Sequence, residues 1–126
     1  MVNKTDNHND VYEFDYVLFK ISLRRIRNEI KKINLQFDNI YAIPRGGYML
    51  ALFLSHIFDK PIVTEPTENS LVVDDICDTG ETLLKYTDYS KVVLIGKPKG
   101  LDKVDKIICP MIVDNNIWVE FFWETK

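Results

Sequence analysis

Four short apolar runs, each ending in a polar or turn-forming residue, constrain this chain more than any other feature. They are residues 39–44 (NIYAIP), 71–76 (LVVDDI), 91–97 (KVVLIGK) and 106–111 (KIICPM). Runs of four to seven apolar residues bounded by turn signals suit strands buried on both faces. Residues 61–65 (PIVTE) add a shorter candidate strand, followed by a turn at 66–70 (PTENS). Between the runs lie helical stretches. Residues 48–58 (YMLALFLSHIF) are apolar almost all round and predict a buried helix, with His56 as a core or helix-end residue. Residues 79–88 (TGETLLKYTD) open a second helix, with Thr and Asp as capping residues. Upstream, Val17, Leu18, Ile21, Leu23, Ile26, Ile30 and Ile33 recur at helical spacing and predict an amphipathic helix over 14–33. Its Arg24, Arg25, Arg27, Lys31 and Lys32 read as a solvated face. Strands alternating with helices imply an α/β fold built on a mainly parallel sheet. Residues 98–100 read as a loop, 117–123 (IWVEFFW) as a strand or an extended tail, and residues 1–10 as a frayed, flexible tail.

The chain has 126 residues, enough for a single domain with a real core. Its 46% apolar and 28% charged residues are ordinary for a globular protein, and the net charge of −3 argues against a nucleic-acid-binding domain. No apolar run is long enough for a membrane span, and the polar start lacks the apolar core of a signal peptide. The expectation is a cytoplasmic protein. Cys77 and Cys109 make neither a disulfide framework nor a zinc pattern.

In a parallel sheet with flanking helices, ligands bind at the carboxyl ends of the strands. Pro44-Arg45-Gly46-Gly47, Asp74-Asp75 and Lys97 all fall there, so three polar clusters should meet along one edge. The densest chemistry is in residues 71–82, LVVDDICDTGET. Adjacent carboxylates need neutralising or hydrogen-bonding partners, and sugar hydroxyls or hydrated magnesium supply them. Asp78-Thr79-Gly80-Glu81-Thr82 then offers backbone N–H groups and hydroxyls at a helix N-terminus, the makings of an anion cradle. Together these suit a phosphorylated ribose.

The segment resembles the phosphoribosyl-pyrophosphate signature of the type I phosphoribosyltransferases, in which several apolar residues precede Asp-Asp, two variable residues and Asp-Thr-Gly-x-Thr. Asp74, Asp75, Asp78, Thr79, Gly80 and Thr82 all match. Residues 42–51 (AIPRGGYMLA) look like the pyrophosphate loop of the purine members. Residues 96–100 (GKPKG) and 117–124 (IWVEFFWE) look like hood elements of the xanthine–guanine and hypoxanthine enzymes. The resemblance spans residues 39–124. It implies a parallel sheet flanked by helices, with a small C-terminal hood over the base. It also implies a magnesium-dependent transfer of ribose 5-phosphate from phosphoribosyl pyrophosphate to a 6-oxopurine, giving a nucleotide and pyrophosphate. By position Asp74 and Asp75 hold ribose hydroxyls or hydrated metal, and Asp78 acts as general acid/base. Thr79, Gly80, Thr82 and the Glu81 backbone hold the 5-phosphate. Arg45 and Gly46 hold pyrophosphate. Lys97 meets the exocyclic oxygen, Trp118 stacks on the base, and the Val119 backbone faces its edge. Trp123 packs the C-terminal segment, and Cys77 is a small buried residue at a variable position. Many relatives form homodimers or higher homo-oligomers.

Two departures stand out. The long closing loop of the family is reduced here to residues 61–70, which carry Glu65 and Glu68 and no lysine or arginine. The family's Phe-Pro-Trp-Glu tail becomes Phe121-Phe122-Trp123-Glu124. The short loop keeps two alternatives open: a phosphoribosyl- or nucleotide-binding regulator without turnover, and a transferase for another base.

Overall fold

The structure is a computed structural model describing residues 10–124. The expected tail at 1–10 lies outside the described residues, apart from Asp10. The chain runs β1 (Val11–Phe14), α1 (Tyr16–Lys32), β2 (Asn39–Ala42), α2 (Tyr48–Phe58), β3 (Ile62–Val63), β4 (Ser70–Val73) and β5 (Ile76–Cys77). It continues through a single 3-10 turn (Leu83–Tyr86), β6 (Ser90–Val92), β7 (Ile95–Gly96), α3 (Pro98–Leu101), β8 (Ile107–Ile108) and β9 (Trp118–Phe121).

Five parallel strands form the main sheet in the order β3-β2-β4-β6-β8. From β2 the chain crosses to β3 on one side, whereas β4 and its successors build outward on the other. The switch point of the topology therefore lies between β2 and β4, where such sheets open a crevice at their carboxyl ends. All four β4 residues are buried, and their side chains alternate between two cores. Leu71 and Val73 join the larger core with α1, α2 and the hood. Val72 joins a smaller one with Ile43, Cys77, Leu83, Val93 and Val104. Asp15 caps α1, its carboxylate accepting from Leu18 N at 2.9 Å.

Several sequence expectations change. The helix expected over 79–88 is only the 3-10 turn at Leu83–Tyr86. Strand β6 begins at Ser90, and the Lys91 ammonium, buried with its strand, takes the Tyr86 and Tyr89 carbonyls at 2.9 and 2.6 Å. Burial and nearby Lys106 lower the Lys91 pKa. The turn is thus closed off before an α-helix can propagate. Residues 98–101 are a short helix rather than a loop, with Pro98 in its first turn, where a missing N–H costs nothing. Helix α2 is not buried all round. Leu50, Ala51 and Leu54 face the core, while Tyr48, Leu52 and Ile57 are exposed. His56 is an exposed residue near the end of α2.

The segments 71–76 and 91–97 each form two short strands. Asp75 O accepts from both Leu94 N and Ile95 N, at 3.0 and 3.3 Å, where the two breaks lie side by side. Beyond them β5 pairs with β7. The N-terminal residues before α1 form β1, where the sequence reading leaves 11–13 unassigned and begins the helix at Phe14; α1 starts only at Tyr16. Strand β1 pairs in parallel with β9 to build the hood, and Asp10 O accepts from Trp118 N at 2.8 Å. Residues 117–123 thus resolve to a strand, β9, through Phe121. Among the described residues no helix is long and apolar enough to cross a membrane.

Candidate active site

A cleft of about 1350 Å³ opens at the switch point. Its floor is Pro44, Arg45 and Gly46 after β2, and Asp74 and Asp75 after β4. Its other wall is the hood, with Glu13, Phe14 and Asp15 from the β1 side, and Trp118 and Glu120 to Glu124 from the β9 side.

The floor is held by close backbone approach. A Cβ on Gly46 would lie 2.3 Å from Asp75 Oδ2, and one on Gly47 would lie 2.4 Å from the Val73 carbonyl oxygen. Only glycine lets the loop pass this close to β4 and the carboxylates beyond it. The loop is pinned through Ile43 N to Val73 O and Gly47 N to Ile43 O, both 2.9 Å. The Pro44–Arg45 peptide is cis.

Asp74 Oδ1 accepts from Asp75 N at 2.8 Å, and the Asp75 residue is 7% exposed. Burial first, then the Asp75 charge, pushes the Asp74 carboxyl up to about 8 from its ordinary 3.8. Burial is also the main cause raising Asp75, and the charge of Glu124 adds to it. Two adjacent carboxyls, one buried and one half-buried, whose charged forms burial disfavours are short of positive charge. Glu13, Asp15, Glu120 and Glu124 line the same cleft, where Arg45 is the single basic lining residue among the described residues. Once ionised, the hard oxygen donors of Asp74 and Asp75 suit a hydrated divalent cation or hydroxyl donors. Among the described residues no group of three or more His, Cys, Asp and Glu is set to hold a metal. A cation bound at Asp74 and Asp75 would therefore keep much of its own water.

Arg45, Gly46, Asp74, Asp75 and Trp118 thus meet in one cleft. Trp118 is 58% exposed, its indole free to stack. Val119 is buried in the core and adds no lining to the cleft. Trp123 packs as expected, its ring 4.8 Å from that of Phe121 and nearly parallel to it.

The other signature residues form a neighbouring group beyond the cleft lining. Asp78 Oδ1 lies 3.3 Å from Lys97 Nζ and 3.6 Å from Lys99 Nζ. The Lys97 residue is only 5% exposed, and its backbone N donates to Cys77 O at 2.9 Å, so β7 delivers it directly to Asp78. Gly80 has φ +86°, and a Cβ there would press on Gly100 O at 3.0 Å. Helix α3 therefore packs against the signature loop. Thr79, Glu81 and Thr82 are exposed, and Glu81 N donates to Thr79 Oγ1 at 3.3 Å. The helix N-terminus expected to complete the anion cradle is absent, because only the 3-10 turn follows. What remains is a loop of N–H groups and hydroxyls. Cys77 is buried, and burial, reinforced by Asp74 and Asp78, raises its thiol pKa, which fits a packed and unreactive side chain.

Sequence reasoning missed Lys99 and the hood carboxylates. Lys99 was signalled only by its place two residues beyond Lys97. For Glu13, the alternation of Val11, Tyr12, Glu13 and Phe14 was a strand signal, and Glu13 stands in register with Glu120.

No family model matches the chain. The curated xanthine-guanine phosphoribosyltransferase of Idiomarina loihiensis is 26% identical over 134 residues, covering 81% of this chain and 82% of its own. The crystal structure of a purine phosphoribosyltransferase from Pyrococcus horikoshii Ot3 superposes with a TM-score of 0.70 at 21% identity, over 93% of this chain and 96% of that one. A Neisseria gonorrhoeae protein crystallised with bound ppGpp gives a TM-score of 0.75 at 16% identity, over 95% and 92% of the two chains.

Proposed function

We propose, for a chain with the type I phosphoribosyltransferase fold and a xanthine-guanine phosphoribosyltransferase among its relatives, that it is a cytoplasmic purine-salvage enzyme. It transfers ribose 5-phosphate from phosphoribosyl pyrophosphate to guanine, xanthine or hypoxanthine and releases pyrophosphate. The observation that supports this most is the cleft in which Arg45-Gly46, Asp74-Asp75 and the exposed Trp118 face one another, with the Asp78–Lys97 pair beside it.

On this reading Asp74 and Asp75 accept the ribose hydroxyls. Magnesium, when bound with the substrate, adds positive charge where the pyrophosphate departs. The Arg45 guanidinium and the Gly46 backbone hold that leaving group. Backbone N–H groups and hydroxyls of Thr79, Gly80, Glu81 and Thr82 hold the 5-phosphate. Trp118 stacks on the purine, and the Lys97 ammonium donates to its 6-oxygen. Asp78, 3.3 and 3.6 Å from the Lys97 and Lys99 ammoniums, accepts the proton that the purine nitrogen loses as its bond to the ribose forms. Positioning and fixed charge carry most of the acceleration.

The test is pyrophosphate release from phosphoribosyl pyrophosphate and magnesium, with guanine, xanthine, hypoxanthine, adenine, uracil and orotate supplied singly. Release that depends on a 6-oxopurine is the expected result. Release with adenine, uracil or orotate instead would keep the class and change the acceptor. The fold shared with the ppGpp-bound Neisseria protein favours one second reading, a nucleotide-binding regulator. That reading expects calorimetric binding of a guanine nucleotide without pyrophosphate release from any base.

A further inference from the structure

The connection between β3 and β4 is where a phosphoribosyltransferase would need a cover over its reaction centre, and here it is only residues 64–69, bonded along the amino edge of the sheet as it returns to β4. Val63, the last residue of β3, pairs with Tyr41 in the middle of β2. Four residues later the chain is bonded to the first residue of β2, Asn39 Nδ2 donating to Thr67 Oγ1 at 2.8 Å. Thr67 N donates to Ser70 Oγ at 2.8 Å, Ser70 Oγ donates to Asn39 Oδ1, and Asp38 N donates to Asn69 O at 2.9 Å. Asn39 and Ser70 open β2 and β4, whereas the cleft lies beyond the residues that end those strands. Roughly 10 Å of strand separates the two edges. Thr67 and Ser70 hold the loop where it stands, and its Glu65 and Glu68 are exposed carboxylates that would repel rather than bind a phosphate. Among the described residues the cleft opens to solvent between the floor and the hood.

From this geometry we infer a further activity, resting on the reading above: base-independent hydrolysis of phosphoribosyl pyrophosphate. The same groups that polarise the substrate act on it when no purine is bound. The bond from ribose C1 to the pyrophosphate oxygen breaks, and its electron pair leaves with pyrophosphate. Water, unhindered at the face the base would occupy, forms the new bond to C1. It loses a proton to Asp78 or solvent, giving ribose 5-phosphate. A covered site suppresses this route because the cationic transition state is shielded from water. An uncovered one leaves it open.

The experiment follows pyrophosphate and ribose 5-phosphate together, with magnesium and saturating phosphoribosyl pyrophosphate, in the presence and absence of the best acceptor base. Base-free turnover of at least about one tenth of the base-dependent rate, with the two products in equal amounts, is the expected result. Asp78→Asn should retain a larger share of the base-free rate than of the transfer rate, because solvent can take the proton from water. Transfer with base-free turnover below about one hundredth of it would overturn the inference while leaving the transferase standing. Such a result would mean that a cover comes from elsewhere, such as a second copy of the chain. No pyrophosphate under any condition, despite measurable substrate binding, would overturn the transferase reading and this inference with it.

Discussion

The two ends of one parallel sheet are built from similar residues and end in opposite states. At the amino ends of β2 and β4, Asn39, Thr67 and Ser70 bond to one another. At the carboxyl ends of the same strands, Asp74 and Asp75 have little but each other, and burial disfavours the charged form of both. Side chains that pair internally serve stability. Side chains held apart from partners, beside glycines that only just clear them, store binding capacity for something that arrives later. The amino edge is internally bonded and the carboxyl edge is the candidate site, although their hydroxyl, amide and carboxylate groups look equally polar in sequence.

Substitutions at the two edges should therefore separate cleanly. Asp78→Asn should lower turnover by about 100-fold or more while leaving the affinity for phosphoribosyl pyrophosphate nearly unchanged. Steady-state kinetics beside calorimetry decides this, and an unchanged kcat would remove Asp78 from its role. Gly46→Ala puts a methyl where Asp75 Oδ2 now sits, at 2.3 Å. The KM for phosphoribosyl pyrophosphate should rise by roughly 30-fold as the carboxylate is displaced. Trp118→Ala should raise the KM for the base about tenfold, the worth of one stacked ring. Its Tm should hardly move, since the indole is mostly exposed. Ser70→Ala should do the reverse. It should cost about 1–2 kcal/mol in a urea melt, by leaving Asn39 and Thr67 short of a partner, with kcat/KM unaltered.

The carboxyl edge should also show itself in pH dependence. The folded chain keeps the Asp74 proton up to about pH 8, whereas the unfolded carboxyl has its ordinary value of 3.8. Stability from this source is complete below about pH 4 and is lost as pH rises toward 8, because the folded state holds the extra proton. The Tm of the free protein should fall as pH rises across that window, and Asp74→Asn should flatten the fall. Magnesium binding through an ionised Asp74 should strengthen over the same range. A Tm that rises with pH in the wild type but not in Asp74→Asn would contradict the burial of this pair.

Much of the carboxyl edge was legible beforehand, since its ingredients are local. Apolar runs at 39–44 and 71–76 announce buried strands, and the polar residues ending them must lie at strand ends. The Asp-Asp and Arg-Gly-Gly groups were thus placed together without coordinates. The hood was not legible in the same way. Strand β1 exists because Val11 to Phe14 find Trp118 to Phe121 from the far end of the chain. Nor could local propensity foresee that the Lys91 ammonium would claim the Tyr86 and Tyr89 carbonyls and stop the helix expected over 79–88. The exposed face of α2 is a similar case, because composition reports apolar residues but not which of them meet a partner.

By itself the sequence determined the alternating apolar runs, the parallel sheet they require and the signature at the end of β4, all consequences of residue order and short-range sterics. Tertiary structure alone decided that the β3–β4 connection is tied to the amino edge, that Lys97 and Lys99 converge on Asp78, and that hood carboxylates ring the cleft. These depend on which distant groups come within hydrogen-bonding or ionic reach, and such distances exist only once the strands have chosen their neighbours.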